Sequence, residues 1–341
     1  MPPSLTASAP SAPAAHDQQR ARALRNGKRR DSIVRSGLAV AGFVPGLALA
    51  FLAYEMIKQA YPSIRDNGSS FFTGHVFSVA SGYSGTGSYG VLPLLWGTLI
   101  SSLIALAIAV PVAVGGAILL VEKVPRRLQG PLSVFLELLA GIPSVVFGLW
   151  GVVTFGPVLS RDLYKPISNL GIPWLTKGVS PNGSGMLTAS LVLCVMIIPI
   201  IASTTRELLR SVPQTSKEGA VALGLTGSEA VRVVTLPFVR TGVLAAMFLG
   251  WGRALGETIA VLLISNNNAN GYPKSIFAGF TTMAASIAQN LDNALTVPAA
   301  LHALAEVGLV LLAVTLLTNF AGRLIARRLS GGAGLPVGRG V

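Results

Sequence analysis

The sequence has 341 residues, of which 51% are hydrophobic and only 11% are charged, and its mean hydropathy is +0.64. Soluble domains carry about 25% charged residues, so this composition excludes an ordinary soluble domain and indicates an all-α membrane protein. A formal charge of +13 would favour nucleic-acid binding in a soluble chain. In a membrane chain the positions of the basic residues carry the information instead, and we expect no nucleic-acid partner.

Cysteine and histidine are too sparse to build a disulfide or a metal site. Cys194 is the only cysteine, and it lies inside an apolar run, where we interpret it as a small core residue. His16, His75 and His302 are scattered along the chain without the spacing of metal ligands. The sequence therefore predicts neither a metal site nor catalytic residues.

The ends of the chain are predicted to be cytoplasmic tails that flank a transmembrane domain at residues 33–329. Residues 1–32 are rich in alanine, proline, serine and basic residues, a composition typical of a disordered tail. Residues 330–341 are predicted to form a flexible C-terminal tail. The apolar run at residues 36–57 follows basic residues, as in a secretory signal, but it exceeds the roughly 7 to 15 apolar residues usual for a signal. We interpret it as the first transmembrane span.

Five further apolar stretches complete a prediction of six transmembrane helices. Each reaches or nearly reaches the roughly 20 residues that cross about 30 Å of hydrocarbon at about 1.5 Å per residue. Residues 58–91, between the first two spans, are polar and rich in glycine and serine, and the chain contains no phosphate-cradling G-x-x-x-x-G-K-[ST] sequence. The five stretches lie at residues 92–121, 132–159, 186–202, 241–264 and 301–320.

Glycine and proline mark candidate hinges in two of these spans. Gly141 and Pro143 are predicted to break the third span, and Pro111 to bend the second. Such breaks are tolerated in a membrane where neighbouring helices or water bond the freed carbonyl groups. Ordinary close packing of helices through small residues is the alternative explanation.

Lysine and arginine are distributed unequally between the two sides that six spans create. Nineteen of the 26 basic residues fall in the two tails and in alternate loops, six fall in the opposite loops, and Arg253 lies inside a span. The positive-inside rule therefore places both termini, and the loop between the fourth and fifth spans, in the cytoplasm. We expect a multi-pass protein of the cell inner or plasma membrane, in contact with membrane lipid.

The loop between the fourth and fifth spans contains two short predicted helices. Thr215 or Ser216 can cap the first helix. Its first turn holds Glu218, which is favourable at the positive end of the helix dipole, and Gly224 ends it. The second helix, over residues 228–234, is predicted to stop before the following proline, because proline disfavours the helical conformation of its predecessor.

The spacing of particular residues in this loop resembles the coupling loop of the membrane subunits of ABC importers. The family pattern is E-A-A, three residues, G, nine residues, I, one residue and L-P; this chain departs from it with Gly219 for the first alanine and Val234 for the isoleucine. The resemblance implies that residues 217–237, here called the coupling element, dock on a separate ATPase; an ordinary polar loop is the alternative. The matching positions are Glu218, Gly219, Ala220, Gly224, Val234, Leu236 and Pro237.

Two charged side chains lie within the fifth predicted span. Arg253 and Glu257 are four residues apart, which places them on one helical face, where they can touch. A charge near the bilayer centre costs roughly 2.5 to 3.5 kcal/mol, so we expect both to face a cavity or a partner. We interpret them as part of a polar translocation path in which the guanidinium binds an oxyanion; a charge pair that only joins subunits is the alternative. Glu137, near the cytoplasmic edge, is interpreted as a snorkelling side chain.

An amphipathic helix is predicted between the fifth and sixth spans, at residues 275–290. Its apolar residues recur at helical spacing over about 20 Å, which is too short for another span. We expect this outer helix to lie along the outer face of the membrane or to dip into it, as a gate or as a packing lid. The recurring residues are Ile276, Phe277, Phe280, Met283, Ala284 and Ile287.

Three stretches resemble one subfamily of these importer permeases more closely, the phosphate-specific permease PstC. With the coupling element and the outer helix, the similarity covers roughly residues 90–328, and the sister permease PstA shares only part of it. The three stretches are LPLLWGTLISSLIALAIAVP at residues 92–111, LELLAGIPSVVFGLWG at residues 136–151 and GWGRALGETIAVLLISNN at residues 250–267.

This resemblance implies a type I ABC importer permease fold and a transport subunit rather than an enzyme. The implied partners are a second permease like PstA, two copies of an ATPase like PstB, and a phosphate-binding protein like PstS. ATP and Mg²⁺ are then used by the ATPase, this chain binds no cofactor, and nucleotide-driven closure drives alternating access through the coupling element.

Two alternative functions remain at this point. One is a related permease for another oxyanion, such as molybdate or sulfate. The other is an ion-gradient-driven transporter, which is disfavoured by the single intramembrane ion pair and by the lack of an evident internal repeat.

Overall fold

The computed structural model describes residue 38 and residues 42–79, 87–169, 171, 178–265 and 271–330. The predicted tail at residues 1–32 lies outside these ranges, as does the predicted C-terminal tail beyond residue 330. The chain divides after Lys58 into two compact units. In the first unit, residues 42–58 are helical, but this helix is not among the described helices that are long and apolar enough to cross a membrane, so the first span stays a prediction. The start of that predicted span, apart from residue 38, falls outside the described residues.

The second unit is built from helices and one short hairpin, in the ranges that the structure describes. Residues 59–67 form helix α1, and Ser69–Thr73 form α2. Strands β1 (Phe77–Ser78) and β2 (Ser88–Tyr89) pair antiparallel. The remaining helices are α3 (Leu92–Glu122), α4 (Arg126–Gly141), α5 (Ser144–Asn169), α6 (Met186–Arg210), α7 (Gln214–Ala222), α8 (Gly227–Leu255), α9 (Ile259–Ile264), α10 (Met283–Thr296) and α11 (Pro298–Ser330).

Five of the described helices are long and apolar enough to cross a membrane, namely α3, α5, α6, α8 and α11. They correspond to the second to sixth predicted spans. The longest stretch of uninterrupted α-helix among the first four is α3, whose 31 residues extend about 46 Å. That length exceeds the hydrocarbon core of a bilayer, about 30 Å thick, so the ends of α3 reach the headgroup layers.

The bounds predicted for the third span, residues 132–159, are wrong. The helix breaks at Ile142, whose ψ of 130° is extended, so the first half of the predicted span belongs to α4 and the membrane helix starts at Ser144. The physical cause is Pro143, because its ring excludes the helical conformation of the preceding residue. The break that Gly141 and Pro143 predict is thus confirmed, whereas Pro111 lies inside the continuous helix α3.

The fifth predicted span is also wrong at both ends. Helix α8 begins at Gly227, well before residue 241, and it runs past Pro237 instead of stopping there. A π-helical turn at Val231–Thr235 precedes this proline, which occupies the first turn of the following α-helical stretch. Proline is tolerated at that position because it has no N–H to lose. At its far end α8 stops at Leu255, and a short break separates it from α9.

The predicted outer helix is wrong in its first half, because α10 begins at Met283 and not at residue 275. The carbonyl groups of Ile276 and Ala278 accept the first two N–H groups of α6, at 2.8 and 3.1 Å. These carbonyls therefore bond N–H groups at the start of another helix that have no partner within that helix. Phe277 and Phe280 are buried in this non-helical segment, whereas Ile276 is exposed.

The main core lies where α3, α6, α8 and α9 meet. Ala105, Ala109 and Ala113 recur every four residues on α3 and are at most 1% exposed. Small residues at this spacing let helix backbones approach each other, which is the usual basis of helix association in membranes. A Cβ on Gly97 of α3 would lie only 2.2 Å from the carbonyl oxygen of Thr281, so α3 also contacts the segment before α10 directly.

Candidate coupling and translocation sites

The coupling element is a helix, a tight turn and the start of a long helix. Gly224, two residues after the end of α7, has a φ of +86°, the left-handed region that favours glycine. Thr226 then begins α8 with a capping box: its hydroxyl accepts the backbone N–H of Glu229 at 3.4 Å, and the Glu229 carboxylate accepts the backbone N–H of Thr226 at 2.7 Å. The turn between the helices is therefore determined by local sequence at both of its ends.

The start of α7 differs from the prediction. Pro213 occupies the N-cap without any side-chain cap, and Thr215 and Ser216 lie inside the helix. The fixed φ of proline prepares the chain for a helix without the help of a hydroxyl. Glu218 is therefore the fifth helical residue and lies beyond the first turn, where the favourable effect of the helix dipole has largely gone.

The residues that match the coupling-loop pattern are split between the surface and the interior of this chain. Ala220 is buried, and Glu218, Gly219, Gly224 and Pro237 are exposed. Val234 and Leu236 are half-buried. The prominent apolar side chain is one that the pattern does not include: Leu223 is 86% exposed at the tip of the turn. An apolar side chain exposed this far indicates a contact surface, together with the exposed Val221 and Val233 nearby in sequence.

An ion pair joins the coupling element to the end of a membrane helix. The Lys217 ammonium lies 2.5 Å from the Glu122 carboxylate in the last turn of α3, and both side chains are mostly buried. A cavity of about 380 Å³ opens beside this pair, and Arg126, Gln129 and Arg210 also line it. Gln129 closes the end of α3 by donating its amide N–H to the Val124 carbonyl at 2.9 Å. The Lys217–Glu122 pair thus joins α7 to the end of α3.

A second ion pair gives a partner to Glu137, whose side chain is 58% exposed. Its carboxylate lies 3.1 Å from the guanidinium of Arg206, which is 7% exposed on α6. A buried guanidinium is costly unless a carboxylate compensates it, so this pair joins α4 to α6. Arg206 lies beyond the span predicted at residues 186–202, but α6 continues to Arg210 and therefore includes it.

Arg253 and Glu257 do not form the helical pair that their spacing predicts. Helix α8 ends at Leu255, so the two residues lie on different sides of a break, and they form no ion pair among the residues that the structure describes. Glu257 is 8% exposed, and its carboxylate accepts the backbone N–H of Ala260 in the first turn of α9 at 3.3 Å. Arg253 is exposed. Its charge thus faces away from the interior of this chain.

Other polar groups surround the last turn of α8. The indole N–H of Trp251 donates to the Ser102 hydroxyl of α3 at 3.0 Å. The side chain of Asn319 on α11 lies beside Gly252, since a Cβ at that glycine would be 3.5 Å from the amide oxygen. Serine, asparagine and tryptophan groups inside spans are consistent with a polar layer at this depth of the membrane domain.

Glu306 on α11 is a third intramembrane charge, and it was not among the residues predicted from the sequence. It is 2% exposed, and one carboxylate oxygen accepts the Ser63 hydroxyl of α1 at 2.7 Å. Asn67 in turn donates to the Ser63 oxygen at 2.9 Å. The other carboxylate oxygen of Glu306 is buried without a hydrogen-bond partner among the described residues. The signal was present, because a glutamate inside the predicted span 301–320 is as unusual as an arginine.

The sequence of this chain matches a known family of transport proteins. Residues 109–331 match the family described as binding-protein-dependent transport system inner membrane component. The phosphate transport system permease protein PstC 1 of Mycobacterium tuberculosis is 46% identical over 319 residues, which cover 89% of this chain and 94% of that protein. PstC of Haemophilus influenzae is 37% identical over 303 residues, covering 88% and 94%.

Solved structures agree at the level of the fold. A chain of a bacterial alginate ABC transporter, solved in complex with an alginate-bound periplasmic protein, superposes with a TM-score of 0.58 at 15% identity, over 88% of this chain and 97% of that chain. A second alginate transporter structure has a TM-score of 0.56 at 14% identity, over 89% and 99%. Sequence and fold together show that the chain belongs to the PstC family of phosphate transport system permease proteins.

Proposed function

We propose that this chain forms, with a second permease, the membrane path of an ATP-driven importer of inorganic phosphate. Its similarity over nearly its full length to phosphate permeases supports this substrate. A permease of this family is a transport component, and ATP hydrolysis belongs to a partner. The proposed assembly contains a PstA-like permease, two PstB-like ATPases that use ATP and Mg²⁺, and a PstS-like phosphate-binding protein. No observation favours molybdate or sulfate over phosphate.

The proposed orientation places both termini and the coupling element in the cytoplasm. Nineteen of the 26 basic residues then lie on the cytoplasmic side. The exposed Leu223 at the tip of the turn is proposed to contact the ATPase. Movement of α7 on nucleotide binding is proposed to pass to α3 through the Lys217–Glu122 ion pair, since both partners are mostly buried and positioned.

The observation that carries the proposed path is the exposure of Arg253 within a membrane helix. A guanidinium in a span does not face lipid when a cavity or partner is available, so its exposure in the isolated chain favours a surface shared with the second permease. Guanidinium presents a planar fork of donors that matches two phosphate oxygens. Glu257 is proposed to maintain the helix break beside Arg253 by accepting the N–H of Ala260.

The test is phosphate uptake by the full complex reconstituted in vesicles with Arg253→Gln. We expect normal assembly, because Arg253 is exposed and pairs with no described carboxylate. Uptake should fall about tenfold or more, because a hydrogen bond to a charged group contributes about 1.5 to 3 kcal/mol. Arg253→Lys is the matched control that keeps the charge and loses the fork, and its uptake should fall less.

Glu257→Gln and the double variant Arg253→Gln/Glu257→Gln complete this experiment. The glutamine carbonyl can still accept the Ala260 N–H, so Glu257→Gln alone should leave the complex assembled. If the double variant recovered uptake in proportion to the assembled complex, the two charges would only neutralise each other, and the proposed path would be rejected. Excess sulfate or molybdate should not compete with labelled phosphate, and competition by either would reject the substrate.

A further inference from the structure

A crevice of about 270 Å³ opens between the end of α3 and the start of α8. Its floor is apolar, and two basic residues line its rim. One wall belongs to the coupling element, from Gly227 to Leu236. The crevice is lined by the apolar residues Ile118, Leu119 and Leu236, here called its floor, and by the basic residues Lys123 and Arg232, here called its rim.

The crevice carries uncompensated positive charge. Glu122 also lines it, but its carboxylate lies 2.5 Å from the ammonium of Lys217 on the coupling element, so this negative charge is already paired. Neither Lys123 nor Arg232 forms an ion pair with any carboxylate in the ranges that the structure describes. Two positive charges therefore stand over an apolar floor, a combination that suits an amphipathic anion.

The depth of the crevice matches the boundary between the hydrocarbon core and the headgroup layer of a bilayer. Helix α3 is about 46 Å long, so its last turn reaches this boundary when it crosses a core of about 30 Å. Leu119 is 59% exposed at this level and is left uncovered by the chain. In the proposed orientation this end of α3 reaches the cytoplasmic leaflet, which carries anionic lipids, and basic pockets between spans on that side bind anionic headgroups.

We propose that this crevice is a binding site for an anionic phospholipid. The lipid phosphate lies between Lys123 and Arg232, and one acyl chain covers Ile118, Leu119 and Leu236. An acidic protein surface would satisfy the charges but would leave the apolar floor in contact with polar groups, so the floor favours a lipid. Because the coupling element forms one wall, the bound lipid contacts the segment through which the ATPase is proposed to act.

The experiment is native mass spectrometry of the full-length chain in detergent, with equal amounts of phosphatidylglycerol and phosphatidylcholine of the same acyl chains. We expect the wild type to retain phosphatidylglycerol preferentially. The double variant Lys123→Gln/Arg232→Gln should lose about thirtyfold of this preference, since a basic residue near an anionic surface contributes about a factor of five. Arg232→Gln alone should lose about fivefold, and it serves as the test if the double variant does not fold.

The matched control is Arg127→Gln/Arg328→Gln, which removes the same charge from two exposed residues that do not line the crevice. This control should keep the wild-type preference. Equal losses in both double variants, or no loss in either, would overturn the proposal. So would variants that keep the lipid preference but lose the ATPase from the purified complex, because the residues would then belong to a protein interface. In detergent the chain has no inside or outside, so its lipid preference does not depend on the proposed orientation. An error in the proposed topology would leave this preference unchanged, whereas failure of the lipid site would abolish it.

Discussion

Glu306 shows how much a single buried carboxylate depends on its few hydrogen-bond partners. In a low-dielectric interior an ionised carboxylate is costly, and one donor does not compensate it. Ser63 supplies the one hydrogen bond, and the second oxygen has no partner among the described residues. The sequence disfavoured an ion-gradient-driven transporter partly because it showed a single intramembrane ion pair. Glu306 is a further intramembrane charge, so this reason no longer holds. The family assignment now carries that exclusion instead.

We predict that Glu306→Gln leaves the thermal stability of the purified complex unchanged or higher. The amide oxygen can still accept the Ser63 hydroxyl, and the charge is gone. Glu306→Leu should destabilise the complex by about 1 to 3 kcal/mol, because the buried Ser63 hydroxyl loses its acceptor. Thermal unfolding in detergent measures both. If the glutamine variant were as unstable as the leucine variant, the negative charge itself would be required and this account would be wrong.

Within the coupling element, the turn and the exposed tip have separate physical roles. The turn depends on Gly224, since its positive φ disfavours any residue with a Cβ, although nothing lies within 4 Å of the position that this atom would take. The tip depends on Leu223, whose side chain is 86% exposed and has little packing among the residues that the structure describes. A substitution at Gly224 therefore tests the conformation of the turn, and a substitution at Leu223 tests the docking surface.

We predict that Leu223→Asp lowers the amount of ATPase that co-purifies with the permease by about tenfold. Burying a leucine side chain in a partner contributes about 1.5 to 3 kcal/mol, and a carboxylate in its place adds a desolvation cost. Leu223→Met is the matched control and should assemble normally. Gly224→Asp should show a loss as well, through strain at positive φ of about 1 to 2 kcal/mol and an added charge. Full assembly of Leu223→Asp with an active ATPase would remove Leu223 from the docking surface.

At the scale of the whole molecule, three membrane-spanning helices separate the segment before α3 from the coupling element. The helices α3, α5 and α6 are each long and apolar enough to cross the bilayer, so we expect the two segments to lie on opposite sides. Ser69 and Ser228 are exposed in these two segments. A cysteine at either position therefore reports the orientation.

We predict that Ser69→Cys reacts with a membrane-impermeant thiol reagent added to intact cells and that Ser228→Cys does not. The background is Cys194→Ala, which removes the only native cysteine, a buried one. Permeabilised cells provide the control, and both cysteines should react there. Labelling of Ser228→Cys alone in intact cells would reverse the orientation and place the coupling element where no cytoplasmic ATPase can reach it.

The amino-acid sequence by itself determined that the chain is a helical membrane protein, where most of its spans lie, and which family the coupling element resembles. These properties depend on local composition, on apolar runs longer than a bilayer requires, and on spacings within about twenty residues. The break beside Pro143 was predictable for the same reason, because proline acts on its immediate neighbour.

Only the tertiary structure decided which charges meet. The partner of Glu137 is Arg206, from another helix; Arg253 and Glu257 are separated by a helix break; and Glu306 is buried against Ser63 from the start of the unit. In the non-helical segment at residues 275–282, the carbonyl groups of Ile276 and Ala278 bond the distant start of α6. Each of these features depends on contacts between residues far apart in the chain, and periodicity within one segment contains no information about them.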